Sequence, residues 1–530
     1  MKFKNIFNIK SLLPVAACAL MFTATGCVGD LDVDPTINKS TNMEFDRDGN
    51  FRKIYANMAL TGQVGPAGDA DIADIDEGTS DFVRQIWNMN ELPTDEAICC
   101  WGDPGINEYN FAQWDASHGM ISCTYYRLYF GITLANYFLE MTKDDASETA
   151  VTEKAEARFL RALYYYYAMD FYGDIPFLTK VSSKKAPQAK RADVFKFIET
   201  ELKECVEEMK EPRTNNYGRA DKAAAWMLLS RLYLNAEVYT GKAMWQEAAE
   251  YAKKVIDSGY ELCPDYRRLF MGDNNTNGAE KEMILPILQD GVQTQNYGCS
   301  LFLIASMTKD DMGNKGTSEG WAGNRARKNL VEKFFPTSDA PAVETSEMVA
   351  AAKDDRALFF GKDRKLSAEK QSVFTDGYSV NKFTNVYAEE GVAPHDTKFV
   401  DMDMPFMRLA EAYLTYAEAQ ARLGNKTEAK KYIDILRNRA NVDGNQPEYS
   451  LNDICDEWSR EFYFEGRRRM DLVRFGKFGG TTDYKWEWKG GSKNGTDFPA
   501  YRNIYGIPTK DIVANENLKQ NPGYENDTKK

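Results

Sequence analysis

Residues 153–176, EKAEARFLRALYYYYAMDFYGDIP, decide the fold. The apolar side chains of this stretch recur at helical spacing and predict a long helix with one apolar stripe, formed by Ala155, Phe159, Ala162, Tyr166 and Met169. The other three tyrosines of the run lie off that stripe, so the helix is aromatic on nearly every side. Such a helix has to pack between other helices. Gly173 and Pro176 predict its end, because glycine can adopt positive φ and proline cannot continue a helix.

Helix pairs on both sides of a long irregular stretch predict the rest of the fold. Small Ala alternates with large Leu and Tyr in residues 224–255 and again in 407–440, each with a glycine-containing turn between two helices. These pairs resemble tetratricopeptide units, which bury their faces only by stacking. We therefore predict a mainly α fold with about four such pairs, its helical scaffold spanning about 120–260 and 405–475.

Two segments interrupt the helical pattern. Residues 61–118 are rich in Gly, Asp, Asn and Pro, and residues 264–404 read as irregular structure with a few strands. Long loops on a rigid scaffold often carry function. We expect this large loop-rich insertion, together with the earlier loop, to form the ligand-binding half. Asp193 and Asp221 are predicted helix caps, and residues 456–475 are predicted to form one helix whose charges pair along it.

The N-terminal residues predict export and lipidation. A basic start is followed by an apolar run, Leu12 to Thr23, that is too short to span a membrane. The sequence Ala24-Thr25-Gly26-Cys27 resembles a bacterial lipobox. We expect residues 1–26 to be a signal peptide, Cys27 to be acylated, and residues 27–40 to be an acidic tether. Plain secretion with an incidental cysteine is the alternative.

Composition narrows the class of ligand. The chain has 530 residues and a net charge of −14, and aromatic residues make up 13% of it. The acidic balance argues against nucleic acid, since it offers no basic surface to phosphates. It suits neutral ligands that stack on rings. The nine cysteines include no C-x-x-C clip, so we expect mostly free, buried thiols.

Catalytic motifs are missing from the sequence. His118 and His395 are the only histidines, both in polar loop-like contexts, and there is no P-loop or G-x-G-x-x-G. A Ser-His-Asp hydrolase or a histidine-rich metal enzyme therefore has little to work with. We expect no enzyme. A glycoside hydrolase needs only a pair of carboxylates, and the many acidic residues of the chain leave that alternative open.

One segment fits a calcium loop in part. Residues 273–278, DNNTNG, match its first half, in which alternating oxygens surround the ion and glycine permits a sharp turn. Asp273, Asn275 and Asn277 are the candidate ligands. The bidentate glutamate of the twelfth loop position is missing, because Ile284 stands there. A simple Asx turn is the alternative.

Aromatic residues in the loops give the main functional signal. Trp101, Tyr297 and Trp321 all lie in Gly/Asn/Asp-rich loops rather than on helical stripes. Such rings can plug the scaffold beneath them. If they converge on the surface, they form a platform for sugar rings, whose C–H faces stack on aromatic faces while polar side chains bind the hydroxyls.

Several separate motifs resemble those of SusD-like (RagB/SusD) outer-membrane lipoproteins, across essentially the whole chain. Besides the lipobox, they are ARFLRALYYYYAMDFYGDIPF (157–177), YGRADKAAAWMLLSRLYLNAEVYTG (217–241), RLAEAYLTYAEAQARLGN (408–425) and EFYFEGRRRMDLVRFGKF (461–478). The resemblance is strongest to the starch-binding members, through ELPTDE (91–96), ILPILQDGVQTQNYG (284–298) and YKWEWKGGSKNGT (484–496).

This resemblance implies a fold and a function. It implies four tetratricopeptide pairs with an irregular binding half, one domain over residues 41–530, and no catalytic activity. It also implies a lipid-anchored protein on the outer-membrane surface that passes oligosaccharides to a SusC-like TonB-dependent transporter. The expected ligand is a starch-like α-glucan or maltooligosaccharide. The alternative is the same transporter lid with a different glycan or a peptide, and a glycoside hydrolase is the least favoured reading.

The resemblance also implies site residues. Trp101, Tyr297 and Trp321 match the aromatic arc of the starch binders, while Arg84 and Asp76 match polar residues lining the same site. A calcium ion is implied at the stretch that includes Asp273. Cys99 departs from the pattern, since the starch binders have a further Trp there.

Overall fold

The structure is a computed structural model that describes residues 45–68, 70–442 and 445–526. The predicted signal peptide, the lipidated Cys27 and the tether lie outside the described residues. The described helices are α1 (Arg47–Ala59), α2 (Phe82–Glu91), α3 (Ile106–Asn110), α4 (Gly119–Met141), α5 (Glu148–Tyr172), α6 (Arg191–Cys205), α7 (Lys222–Leu234), α8 (Ala236–Thr240), α9 (Trp245–Ile256), α10 (Cys299–Ala305), α11 (Lys328–Glu332), α12 (Thr345–Ala352), α13 (Leu409–Arg422), α14 (Lys426–Arg439), α15 (Leu451–Phe462), α16 (Arg468–Arg474) and α17 (Thr509–Ala514).

Short strands complete the described elements. They are β1 (Ala97–Cys99), β2 (Ile175–Pro176), β3 (Gln188–Ala189), β4 (Met283–Ile287), β5 (Asn324–Ala326), β6 (Phe359–Phe360), β7 (Ser379–Val380) and β8 (Met404–Arg408). They form four two-stranded antiparallel ladders, β1–β5, β2–β3, β4–β8 and β6–β7. None of the described helices is both long enough and apolar enough to cross a bilayer.

Helix α5 has the buried position that its sequence predicts. The Ser147 side chain accepts a hydrogen bond from the Ala150 N–H and caps its start, and Gly173, with φ of 70°, ends it. All four tyrosines of the run are buried, and α4 and α6 pack on the helix. The aromatic surface is therefore enclosed on all sides by neighbouring elements.

The helix pairs form one continuous array across the insertion. Helix α9 packs against both α7 and α13, and α13 in turn packs against α14. Asp221 caps α7 by accepting hydrogen bonds from the Ala223 and Ala224 N–H groups. The prediction of a mainly α fold with tetratricopeptide-like pairs and a loop-rich insertion is confirmed.

Two local predictions were wrong. Helix α6 begins at Arg191 with Lys190 at the N-cap, so Asp193 lies in the first turn. There its negative charge interacts favourably with the positive end of the helix dipole. The predicted single helix over 456–475 is two helices, α15 and α16. Phe464 and Gly466 adopt φ of 63° and 78° between them, and these left-handed residues break the helical path.

The charges of this segment pair in part along their own helices, as expected, since Arg467 binds Asp471 at 3.1 Å. Its arginines also reach beyond those helices. Arg468 binds Asp95 at 2.7 Å, and Arg474 binds Glu418 at 2.8 Å, with all four side chains buried. Arg469 pairs with Asp170 of α5. Sequence spacing alone could not show these partners, because they lie far away along the chain. The seven cysteines within the described residues are free and buried, as predicted.

Candidate functional site

The β1–β5 ladder brings two of the predicted rings to one place. Trp101 follows β1 and Trp321 precedes β5, and the register pairs Cys99 with Asn324. One step beyond the ladder, the Cys100 N–H donates to the Gly323 carbonyl at 3.0 Å. The two tryptophan-bearing loops therefore leave the same end of one ladder.

Gly323 fixes the position of the Trp101 ring. Its φ is 108°, and a Cβ at this position would lie 2.1 Å from Trp101 Nε1. The indole therefore rests directly on the Gly323 backbone. Both the positive φ and the close approach require glycine here.

Phe302 and Arg84 also contact the Trp101 ring. Phe302, buried in α10, lies 6.4 Å from the Trp101 ring in an edge-to-face arrangement. The Arg84 guanidinium, from α2, lies 5.0 Å from the Phe302 ring centre and 5.9 Å from that of Trp101. These are cation–π distances, so the cation and the ring support each other.

Arg84 has hydrogen-bonding capacity that the protein does not use. Its Nε atom is buried and has no hydrogen-bond partner among the described residues. Burial lowers the pKa of Arg84, and the negative charges of Asp76 and Asp81 oppose that shift. An unsatisfied buried donor is costly unless a ligand oxygen binds it. The guanidinium is therefore suited to donate a hydrogen bond to a polar ligand beside the Trp101 ring.

The other two rings contact each other. The centroids of Tyr297 and Trp321 are 6.3 Å apart, and their planes are inclined at 47°. The Trp321 N–H donates to the Ala305 carbonyl at the end of α10, at 2.8 Å. Asp81 accepts from the N–H groups of Arg84 and Cys299, both at 2.8 Å, and so joins α2 to the loop of Tyr297.

Asp76 lies at the edge of this group and is exposed. Its Oδ2 accepts hydrogen bonds from the Thr79 N–H at 3.0 Å and from the Thr79 hydroxyl at 2.6 Å. The turn that follows fits against Tyr297, since a Cβ on Gly78 would lie 2.5 Å from the Tyr297 Cβ. The structure thus brings all five predicted site residues together, and we name them, with Phe302, the ring platform.

The three rings differ in exposure from the fully buried tryptophans of the core. Trp101, Tyr297 and Trp321 are each half-buried, whereas Trp87, Trp114, Trp458 and Trp486 are fully buried. Trp245 of the helical scaffold is half-buried too, so what distinguishes the three loop rings is that they lie close together. The arrangement favours the platform over the plug, and ligand binding by these rings stays a prediction.

Unusual backbone conformations flank the platform. Cys299 and Ala322 adopt φ of 43° and 54°, a region that non-glycine residues rarely occupy. One lies two residues after Tyr297 and the other directly after Trp321. Such conformations persist where surrounding contacts determine the structure, and they concentrate at functional sites.

Sequence reasoning missed three contributors to the platform. In the sequence, Phe302 looks like an ordinary apolar helix residue, and Glu319 and Lys398 look like solvent-exposed loop charges. Lys398 Nζ donates to the Tyr297 hydroxyl at 2.7 Å, and Trp321 Nε1 donates to the Glu319 carboxylate at 2.5 Å. No motif in the sequence marks these residues, because their role depends on contacts between distant loops.

The predicted calcium loop forms a hydrogen-bonded turn. The Asp273 carboxylate accepts hydrogen bonds from the N–H groups of Ala388 and Glu389 and from the Asn277 side-chain amide, at 3.0 to 3.3 Å. The Asn277 side-chain oxygen accepts from the Ala279 N–H at 3.0 Å, and Asn275 is exposed. These donors satisfy Asp273 without a cation, so the arrangement fits an Asx turn better than a calcium cage, and calcium stays a prediction.

The two histidines have separate structural contacts. His118, expected in a polar loop, is instead buried at the start of α4, where its Nδ1 accepts from the Ile121 N–H; burial lowers its pKa. His395 Nδ1 lies 3.0 Å from Asp401 Oδ1. In the part of the chain that the structure describes, no three His, Cys, Asp or Glu residues cluster as a metal site.

Comparisons with known proteins place this geometry in context. A family model described as "SusD family" matches residues 359–524, and one described as "Starch-binding associating with outer membrane" matches residues 31–234. "Starch-binding protein SusD" of Bacteroides thetaiotaomicron is 42% identical over 551 aligned positions, which cover 98% of this chain and 99% of that protein.

Solved structures share the fold at low sequence identity. One named "Laminarin binding SusD-like protein" has a TM-score of 0.67 and 21% identity, covering 91% of this chain and 99% of that one. A surface glycan-binding protein of Bacteroides thetaiotaomicron in complex with laminarihexaose has a TM-score of 0.66 and 18% identity, covering 90% and 98%. Their similarity extends over nearly the full length of each chain.

Proposed function

The chain belongs to the SusD family, and on that basis we propose that it is a non-catalytic glycan-binding lipoprotein of the outer-membrane surface. Its relatives are named for binding carbohydrate rather than for a reaction. We propose a starch-like α-glucan as the ligand, which the protein delivers to a SusC-like TonB-dependent transporter.

The convergence of three half-buried rings carries this proposal. Tyr297 and Trp321 are inclined at 47°, so their faces do not form one flat strip. Inclined faces suit a chain that bends, as α-1,4-linked glucose does, better than a flat β-1,4-linked chain. Arg84 adds an unpartnered N–H donor beside Trp101, and the oxygen of a sugar hydroxyl can accept its hydrogen bond.

Membrane attachment is supported by the sequence rather than by the rings, and the transporter is proposed from the family resemblance. Cys27 follows a lipobox in the sequence, and one matching family model is described as associating with the outer membrane. The acidic net charge of −14 argues against nucleic acid as a ligand. Lipidation is testable by mass spectrometry of the mature N-terminal peptide, which should carry acyl chains on Cys27.

A different glycan is the second candidate. Two structural neighbours are named for laminarin or carry laminarihexaose, and inclined rings also suit the curved β-1,3-glucan. At 18–21% identity these neighbours support the fold alone. The greater identity to a starch-binding protein, 42% over nearly the whole chain, favours α-glucan.

Isothermal titration tests the proposal directly. The mature protein is titrated with maltoheptaose, laminarihexaose and cellohexaose, and we expect binding to maltoheptaose and at least tenfold weaker binding to the other two. Binding to laminarihexaose alone would transfer the assignment to the second candidate. Incubation with starch should release no reducing sugar, and release that scales with protein concentration would refute the non-catalytic assignment.

A further inference from the structure

We propose that Lys398 and Glu319 are positioning residues of the ring platform, which hold Tyr297 and Trp321 at their mutual angle before ligand arrives. The inference rests on the proposed function, because it concerns how the same platform binds glycan. It assigns a role to an ion pair that supplies no stacking surface of its own.

Lys398 holds the tyrosine at two points. Its Nζ donates to the Tyr297 hydroxyl at 2.7 Å and lies 4.7 Å from the centre of the same ring. Phe399, the next residue, packs behind Tyr297 at 5.7 Å between centroids. The ring therefore has an apolar support at its back and a cation at its hydroxyl end.

Glu319 holds the tryptophan and closes the link. Its carboxylate accepts the Trp321 Nε1–H at 2.5 Å, and its other oxygen lies 3.4 Å from Lys398 Nζ. Ring, cation, carboxylate and ring thus form one connected series. Because each connection is directional or charge-assisted, moving the Tyr297 hydroxyl or the Trp321 Nε1 away from its partner breaks one of them.

Backbone contacts bring the two charged residues together. The Thr317 hydroxyl donates to the Lys398 carbonyl at 2.5 Å, and the Ser318 N–H donates to the Thr397 carbonyl at 2.7 Å. Asp396 accepts from the N–H groups of Lys398 and Phe399, at 2.7 and 2.8 Å. The loop that carries Trp321 is therefore joined to the segment that supports Tyr297.

The direction of the Lys398 hydrogen bond has a chemical consequence. The ammonium can only donate, so the Tyr297 oxygen accepts, and its own O–H remains available. Among the described residues, no protein acceptor is found for that hydrogen. The tyrosine is thus prepared to donate to an oxygen of a bound sugar, while its ring face stacks.

The main test removes the cation and keeps the aliphatic stem, as Lys398→Met. We expect about tenfold weaker binding of maltoheptaose, because the ligand then has to order the Tyr297 side chain itself. Lys398→Arg should restore most of the affinity. Lys485→Met is the matched control, because Lys485 has the same 37% side-chain exposure and pairs with Asp497 on another loop; its affinity should equal wild type.

Two further measurements separate positioning from general stability. In a Tyr297→Phe background, Lys398→Met should weaken binding by much less than tenfold, because its hydrogen-bond partner is already gone. In the unliganded protein, hydrogen exchange of the peptide containing residues 317–323 should be faster in Lys398→Met, with the melting temperature unchanged within about 2 °C.

The outcomes distinguish this inference from the proposed function. If wild type binds maltoheptaose and Lys398→Met binds it equally well, the positioning role is wrong and the proposed function stands. If wild type binds no glucan, the proposed function fails, and the exchange measurement still decides the ion pair: unchanged exchange in residues 317–323 overturns the inference.

Discussion

Replacing Trp321 with alanine should weaken glucan binding by about 30- to 150-fold. The half-buried indole offers one face to solvent, about 80 Å² of the area that such a ring typically buries. At about 25 cal/mol per Å², covering that face with sugar contributes about 2 kcal/mol, or about 30-fold. The change also removes the neighbour 6.3 Å from Tyr297, so the ligand then has to order the Tyr297 side chain itself, which costs about 1 kcal/mol more.

Isothermal titration with maltoheptaose measures this loss, and thermal unfolding checks that the fold is kept. Trp245→Ala is the matched control, since Trp245 is also half-buried but lies at the start of α9 in the helical scaffold. It should bind like wild type. Combining Trp101→Ala with Trp321→Ala should abolish measurable binding and retardation in a starch-containing native gel.

A change of less than threefold for Trp321→Ala would refute the reasoning, provided that wild type binds. In that case the exposed face of this ring contributes nothing to the complex, and the convergence of the three rings is structural. Equal losses for Trp321→Ala and Trp245→Ala would also refute it, because the loss would then reflect the scaffold rather than the site.

Three further changes test separate parts of the structure. Arg84→Met should weaken maltoheptaose binding about tenfold without lowering the melting temperature, since it removes an unsatisfied buried donor; a lower melting temperature would assign Arg84 to the fold. Burial and the neighbouring Glu96 raise the pKa of Glu91 in the folded protein. Protonated Glu91 therefore stabilises the fold at low pH, and this contribution falls as the pH rises above the pKa of Glu91 in the unfolded chain, about 4.3. Glu91→Gln should therefore flatten the decline of unfolding free energy above pH 5 in urea titrations, and an unchanged slope would contradict the raised pKa of Glu91. If calcium binds at Asp273, chelation should lower the melting temperature of wild type but not of Asp273→Asn; an unchanged wild-type value would leave the loop as an Asx turn.

Local patterns in the sequence predicted the helical scaffold well. The tyrosine run of α5, its end at Gly173 and the cap at Asp221 depend on spacing and on neighbouring residues, which sequence shows directly. The break at Phe464 and the start of α6 at Arg191, with Lys190 as its N-cap, do not depend on such local patterns. A phenylalanine rarely adopts positive φ, and only the contacts around it in the fold can impose that conformation.

The candidate site was predicted in its residues but not in its geometry. Loop context and the family resemblance identified Trp101, Tyr297 and Trp321, whereas their convergence depends on the β1–β5 ladder, which pairs segments far apart in sequence. Lys398 and Glu319 escaped prediction for the same reason. Charged residues in a loop look alike until a partner from another loop is known.

The loops that carry the rings are more firmly held than their irregular structure suggests. Asp95, just before β1, binds Arg468 at 2.7 Å and Lys333 at 2.7 Å, all buried or nearly so. Arg327, just after β5, donates to the Ala97 carbonyl at 2.8 Å and to three further carbonyls, those of Leu92, Asn110 and Glu487.

Buried charges of this kind contribute little net stability, because desolvation opposes their attraction. Their partners are nevertheless specific, so they fix both ends of the ladder in one arrangement. A neutral, flexible glucan loses conformational freedom on binding, and a site that is already ordered adds no loss of its own. Under the proposed function, the buried ion pairs and the half-buried rings act together. The ion pairs fix the loops, and the rings and their polar neighbours then bind the glycan.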